Sequence, residues 1–259
     1  MAVRIYDTHA HYDEKVYDED REDLFESMRA AGVVRLNNIA VSMESSRKNN
    51  CLSKEYDFIY GTVGVFPSDV AELEDAAAIP ELEGLLKDNP KLVAVGEIGL
   101  DYHYEDTDKE LQQKWFAGQM ELARRMRRPI VIHSRDAAQD TLALLRENHA
   151  EQIGGVMHCY SYSREMAKDF LDLGLYFGIG GVVTFKNAKK LKEAVEYLPL
   201  SSLLLETDAP YLSPEPFRGK RNCSSYLVYV SEKIAEIKGI TTEAVYEACW
   251  DNACRLFGV

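Results

Sequence analysis

Six side chains of metal-ligating type, His9, His11, Glu97, His133, His158 and Asp208, are spread along most of the chain. Each falls at or just beyond the end of a short apolar run. His9 and His11 are two residues apart, so an extended strand points both imidazoles to one side, where two neutral nitrogens converge on one ion. Alone, such a pair is more often two satisfied polar groups near a strand end. Glu97 lies in Gly96-Glu97-Ile98-Gly99, where small neighbours permit close approach and a buried carboxylate is costly without cations beside it. Two metals bridged by Glu97 would satisfy it. Asp208 follows Glu206-Thr207 after the all-leucine run Leu203 to Leu205. It is suited to bind one ion and to take a proton from an activated water, the role of a general base. Spacing alone carries this as far as a metal hydrolase.

The elements that must position these groups alternate along the chain. Strands are expected near Val3 to Asp7, Val33 to Ile39, Phe58 to Val65, Val93 to Ile98, Ile130 to His133, Gly155 to His158, Leu175 to Gly178 and Leu203 to Glu206, with amphipathic segments between. The clearest helix runs from Glu110 to Met126, where Leu111, Trp115, Leu122 and Met126 form a stripe. A Pro-rich, charged loop from Ser213 to Asn222 precedes helical segments near Tyr226 to Lys238 and Thr242 to Phe257. Eight βα units predict a single (β/α)₈ TIM-type barrel over residues 1–259, a length that suits one such barrel. In a barrel all strand ends share one face, so strands one, four, five, six and eight bring the six residues to one mouth.

Composition narrows the partners. Hydrophobic residues make up 46% and charged residues 28%, ordinary for a chain that buries a core. Lys and Arg number 30 against 43 Asp and Glu, a net charge of −13, so the surface repels polyanions and any nucleic acid must be held locally. Divalent ions in one cleft would do that. The five cysteines have no C-x-x-C spacing, which argues for free thiols. The first residues lack a secretory apolar segment, and no stretch approaches the ~20 apolar residues of a membrane span; the expectation is a cytoplasmic protein with no membrane and no obligate protein partner. The imidazole and carboxylate set suits Zn, Mn, Ni or Mg.

At these residues the sequence resembles, nearly end to end, the TatD family of metal-dependent deoxyribonucleases within the amidohydrolase-type barrels. The matching segments are Asp7-Thr8-His9-Ala10-His11, Gly96-Glu97-Ile98-Gly99-Leu100-Asp101-Tyr102, Ile132-His133-Ser134-Arg135, His158-Cys159, Gly181-Val182-Val183-Thr184-Phe185-Lys186 and Glu206-Thr207-Asp208-Ala209-Pro210-Tyr211-Leu212, with Arg218-Gly219-Lys220-Arg221-Asn222 beyond. The resemblance implies two divalent ions per chain: His9, His11, Glu97 and Asp208 on one, and Glu97, His133 and His158 on the other. It implies hydrolysis of DNA phosphodiesters, in single strands or at ends, with Glu97 bridging and Asp208 as the base. Three positions depart from the family pattern. Phe66 stands where relatives usually carry His, which removes a polar contact beside the cleft and affects substrate choice or rate; Tyr162, where Gly is common, and Cys223, where an acid is usual, affect loop contacts rather than the metal centre.

Other polar residues read less specifically. Arg135, two beyond His133, is placed either to hold a substrate phosphate or to pair with a nearby carboxylate. The run Arg218 to Arg221 is either a phosphate patch or a solvated, internally paired loop, and charge alone favours the loop. His103 is expected to line the pocket wall and His149 to be exposed. Arg124 to Arg128 end a helix, where cations suit the dipole. Two further functions stand beside the nuclease: an ester or amide hydrolase such as a D-aminoacyl-tRNA deacylase, and a metal-binding barrel without turnover. The second would need a missing ligand or base, and none of the six is missing.

Overall fold

Runs rich in Val, Ile and Leu form eight parallel strands in the computed structural model, which describes residues 4–259. They are β1 (Ile5–Ala10), β2 (Val33–Asn38), β3 (Ile59–Val63), β4 (Leu92–Asp101), β5 (Ile130–Arg135), β6 (Gly155–Met157), β7 (Tyr176–Ile179) and β8 (Leu203–Leu205). Each pairs with the next in a single sheet ordered β1 to β8. The sheet closes through a parallel bridge between Ala10 and Ala209, reinforced by His11 N donating to Ala209 O at 2.8 Å and Thr8 Oγ1 donating to Leu205 O at 3.0 Å. The fold is the expected TIM barrel. Val3, the first residue of the expected first strand, lies outside the described residues.

Nine α-helices cover the sheet: α1 (Arg21–Ala30), α2 (Met43–Glu55), α3 (Ala78–Asp88), α4 (Lys109–Met126), α5 (Ala138–Glu147), α6 (Arg164–Asp172), α7 (Lys189–Tyr197), α8 (Leu227–Lys238) and α9 (Thr242–Phe257) among the described residues. Helix α4 begins where Asp108 accepts from Leu111 N and ends at Arg127, whose φ of 52° turns the chain. The basic run there is structural: Arg124 contacts Glu121 and the Asn148 carbonyl, and Arg125 pairs with Glu83. No described helix is long and apolar enough to cross a membrane.

Two apolar regions result. The larger lies between the strands and their helices, which is why β4 is buried along its whole length. The smaller gathers Tyr6, Val93, Val131, Val156 and Leu204, from strands around the whole barrel, with Ala253 and Phe257 of α9. These side chains fill the barrel below the mouth. Helix α9 closes its floor, with Trp250 and Phe257 against Tyr6 at 6.0 and 6.1 Å between ring centroids.

Strand β4 is longer than its expected range of Val93 to Ile98, because Gly99, Leu100 and Asp101 go on pairing with His133, Ser134 and Arg135 of β5. Glu97 therefore sits inside a strand, at a register shift against β5 between Val95 and Ile98. Its backbone is fixed from the other side: Glu97 N donates to Ala40 O at 2.6 Å, and Thr62 Oγ1 donates to Gly96 O at 2.5 Å. Gly96 is required there, since a Cβ would lie 2.5 Å from that of Val131.

Candidate metal centre

All six expected residues meet at the C-terminal mouth, and Glu97 is their centre. Its Oε2 lies 3.4 Å from His9 Nε2 and 4.0 Å from His11 Nε2. Its Oε1 lies 2.8 Å from His133 Nδ1 and 3.9 Å from His158 Nε2. Asp208 Oδ1 stands 3.3 Å from His11 Nε2, 3.6 Å from His158 Nε2 and 3.7 Å from His9 Nε2. His9 and His11 face each other through their Nε2 atoms at 3.2 Å. His11 donates from Nδ1 to Ile39 O and so presents Nε2 as an acceptor, which a proton on His9 Nε2 or a shared cation would satisfy.

The outer nitrogens of His11 and His133 are held by groups that sequence reasoning had not assigned, whereas those of His9 and His158 have no hydrogen-bond partner among the described residues. His11 Nδ1 is 3.1 Å from Ile39 O, and His133 Nε2 is 3.1 Å from Asp101 Oδ2. His158 Nδ1 is 3.1 Å from Glu206 Oε1, off the in-plane hydrogen-bond direction, and that oxygen also accepts from Cys159 N at 2.6 Å. A carboxylate behind an imidazole fixes the ring and makes its inner nitrogen a better donor to a metal. Asp7 locks the two strands that carry His9 and Asp208. Its Oδ1 accepts from His9 N and Thr207 N at 3.2 and 3.1 Å, and its Oδ2 from the Thr207 and Ser224 hydroxyls at 2.6 Å each. Asp208 itself has φ of 58°, held by Asp208 N on His9 O and Tyr211 N on Asp208 O.

Burial works against charge throughout this cluster, and mutual pairing overrides it at most groups. Against burial, Asp208 pushes His11 up to about 9, and Glu206, Glu97 and Asp208 push His158 up to about 10. Against burial again, Asp101 and Glu97 raise His133. Burial and the stacked ring of His158 hold His9 below its ordinary value. Although burial alone would raise them, Glu97 is held well below the carboxylate range by His158 and His133, and Asp208 is lowered by His158 and His11. Burial pushes Asp7 up to about 7 despite its donors. Anionic carboxylates at this depth demand positive charge beside them, which protonated imidazoles supply and divalent cations would supply better. The nitrogen and oxygen donor set fits metal ions, and the ligand atoms of His9, His11 and Asp208 lie within 4.8 Å of one another.

A cavity of about 550 Å³ opens over the cluster, walled by Phe66, Tyr104, Arg135 and Tyr211. Arg135 projects into this space and has no carboxylate within ion-pair distance among the described residues. Phe66 packs on the His133 ring at 4.6 Å, so this departure forms an apolar wall. Tyr162 Oη bonds Ser134 Oγ of β5 at 2.9 Å and accepts from Ala137 N at 3.4 Å, and so ties the loop after β5 to the strand. Cys223 is half-buried, its amide donating to Asn222 Oδ1 at 2.9 Å. His103 is not among the residues lining the cavity; it pairs with Asp136 at 3.1 Å, and the neighbouring Tyr104 forms the wall. His149 is exposed, as its polar surroundings imply.

An eight-stranded barrel whose mouth gathers histidines around a shared glutamate defines a metal-dependent hydrolase of the amidohydrolase type. The family model described as TatD related DNase matches residues 6–258. The chain is 43% identical over 257 residues to the uncharacterized metal-dependent hydrolase YabD of Bacillus subtilis (strain 168), covering 98% of this chain and 99% of that one. It is 37% identical over 261 residues to the uncharacterized metal-dependent hydrolase YcfH of Escherichia coli (strain K12), covering 98% and 96%. The crystal structure of YjjV, a TatD homologue from E. coli K12, superposes with a TM-score of 0.94 at 32% identity over 100% of both chains. The chain belongs to the TatD family.

Proposed function

We propose that the chain hydrolyses phosphodiester bonds of DNA, in single strands or at ends, with two divalent ions. His9, His11, Glu97 and Asp208 hold one ion, and Glu97, His133 and His158 hold the other. The observation that carries this reading is the division of Glu97: one carboxylate oxygen faces His9 and His11 while the other faces His133 and His158. When bound, the ions supply Lewis acidity toward a phosphoryl oxygen and lower the pKa of water.

The chain's residues do the rest. Asp208 Oδ1, at the open side of the cluster, takes a proton from the attacking water, and its depressed pKa keeps it ionised for that task. Arg135, unpaired and lining the cavity, orients non-bridging phosphate oxygens through its forked guanidinium, which favours a phosphodiester over a neutral ester or amide. Phe66 keeps water off the His133 side. A cavity of about 550 Å³ suits a nucleotide or a strand end rather than an intact duplex.

The test is hydrolysis of end-labelled single-stranded DNA by metal-stripped protein, with Mn, Mg, Zn or Ni added back. Metal-dependent cleavage is expected. Absence of cleavage with any of the four ions, despite bound metal, would overturn the nuclease reading and move the search to carbonyl substrates, beginning with aminoacyl-tRNA esters.

A further inference from the structure

The run Arg218 to Arg221 divides in the folded chain. Arg221 is structural: it pairs with Asp20, donates to Val16 O at 2.7 Å and lies over the Tyr17 ring. Arg218 and Lys220 are exposed and have no carboxylate within ion-pair distance among the described residues. They lie instead over aromatic faces, Arg218 at 4.4 Å from the Phe185 centroid and Lys220 at 5.8 Å from that of Phe217. Together with Tyr211 they line a second cavity of about 340 Å³. Tyr211 also walls the cavity over the metal cluster, so the two spaces adjoin across its ring.

This second cavity is built on a fixed loop. Asn222 Nδ2 donates to the Thr207 and Tyr211 carbonyls at 2.9 and 2.7 Å, and Ser213 Oγ donates to Lys220 O at 2.5 Å. Glu215, the acid within the loop, is tied through its backbone N to Thr184 Oγ1 at 2.9 Å and makes no ion pair among the described residues. Gly181 lets the loop after β7 touch the loop after β8, since a Cβ there would lie 2.1 Å from Leu212 O. The Tyr211 ring is half exposed, and its hydroxyl is held by Glu14 at 2.7 Å. At the opposite side of the mouth the neighbouring cavity, reached past Tyr104, carries Asp106 and Asp108. One flank of the metal cluster is thus cationic and aromatic, and the other is anionic.

Resting on the phosphodiester reading, we propose that Tyr211, Phe185, Arg218 and Lys220 form a second subsite, for the nucleotide adjoining the scissile bond. Arg218 and Lys220 hold its phosphate and the exposed Tyr211 ring stacks on its base. The acidic flank repels a polyanion, so a single strand runs from the metal cluster toward Arg218 and not toward Asp106. Local cations of this kind allow a chain of net charge −13 to hold a nucleic-acid strand.

The test compares wild type with the double variant R218Q/K220Q, loaded with Mn, on single-stranded oligothymidylate and on bis(p-nitrophenyl) phosphate, a diester with no neighbouring nucleotide. The ratio of kcat/KM for the oligonucleotide to that for the small diester should fall about tenfold or more, and the salt dependence for the oligonucleotide should become shallower by about one. An unchanged ratio overturns the subsite. If wild type cleaves neither substrate, the phosphodiester reading fails by itself, and fluorescence anisotropy of the same oligothymidylate decides the subsite. Weaker binding by the variant supports it, and equal binding overturns it.

Discussion

The floor and the mouth of the barrel are built from the same eight strands by opposite means. At the floor, Tyr6, Val93, Val131 and Leu204 meet α9 in a packed apolar layer whose stability comes from burial. A few residues further along the same strands, His9, Glu97, His133 and the groups beyond β6 and β8 gather buried charge that desolvation opposes. Local backbone differs too. Among the described residues, four of the six non-glycine positions with positive φ, Asp136, Cys159, Asp208 and Leu212, lie in loops after β5, β6 and β8, and Arg127 and His149 merely end helices. Stability is concentrated below, and function is placed where stability is spent.

Breaking one end should leave the other standing. The largest effect is expected for Asp208→Asn, which keeps the shape of the mouth but removes the proposed base. DNA hydrolysis under metal-saturating conditions should fall by about 10³-fold or more with little change in thermal midpoint. Full activity in that variant would remove Asp208 as the base. At the floor, Phe257→Ala should cost about 3–5 kcal/mol in denaturant unfolding while the folded fraction keeps its turnover. A loss of turnover with unchanged stability would break the division between the two ends.

Smaller changes sharpen the comparison. Glu206→Gln removes the charge behind His158 and should weaken metal binding by about 10–100-fold in a competition titration with a chelator; undiminished affinity would make Glu206 a packing residue only. The weakest effect concerns pH. In the metal-free protein His11 and His158 have folded values of about 9 and about 10, above the ordinary 6.5. Their stabilisation is therefore complete below pH 6.5 and is lost as pH rises through those values. The thermal midpoint of stripped protein should fall between pH 7 and 10, whereas loaded protein, its imidazoles deprotonated on the ions, should not share that fall. Metal uptake near pH 7.5 should release about two protons per chain. Parallel pH curves for the two forms would contradict this.

The mouth was largely legible in the sequence because ligand-type residues at the ends of apolar runs converge whenever those runs form a barrel. His9 and His11 announced themselves by spacing, and Asp208 by its place after three leucines. What stayed hidden depended on register. Asp101 is four residues beyond Glu97, the same side of an extended strand, and becomes visible as the partner of His133 only once β4 runs on to Asp101 rather than stopping at Ile98. Glu206 was in plain view, but its position behind His158 depends on Gly178 of β7, where a Cβ would lie 1.9 Å from Glu206 Oε2. The split of Arg218 and Lys220 from Arg221 is decided by Asp20, 201 residues away in the sequence, which no local charge pattern records.

On the proposed function, the mouth's buried charge is arranged around two divalent ions shared through Glu97. The most direct test of this arrangement is metal content per chain, by equilibrium dialysis and elemental analysis, for wild type and Glu97→Ala. Two ions are expected in wild type and one or none in the variant. One ion in wild type, or two retained without Glu97, would contradict this arrangement.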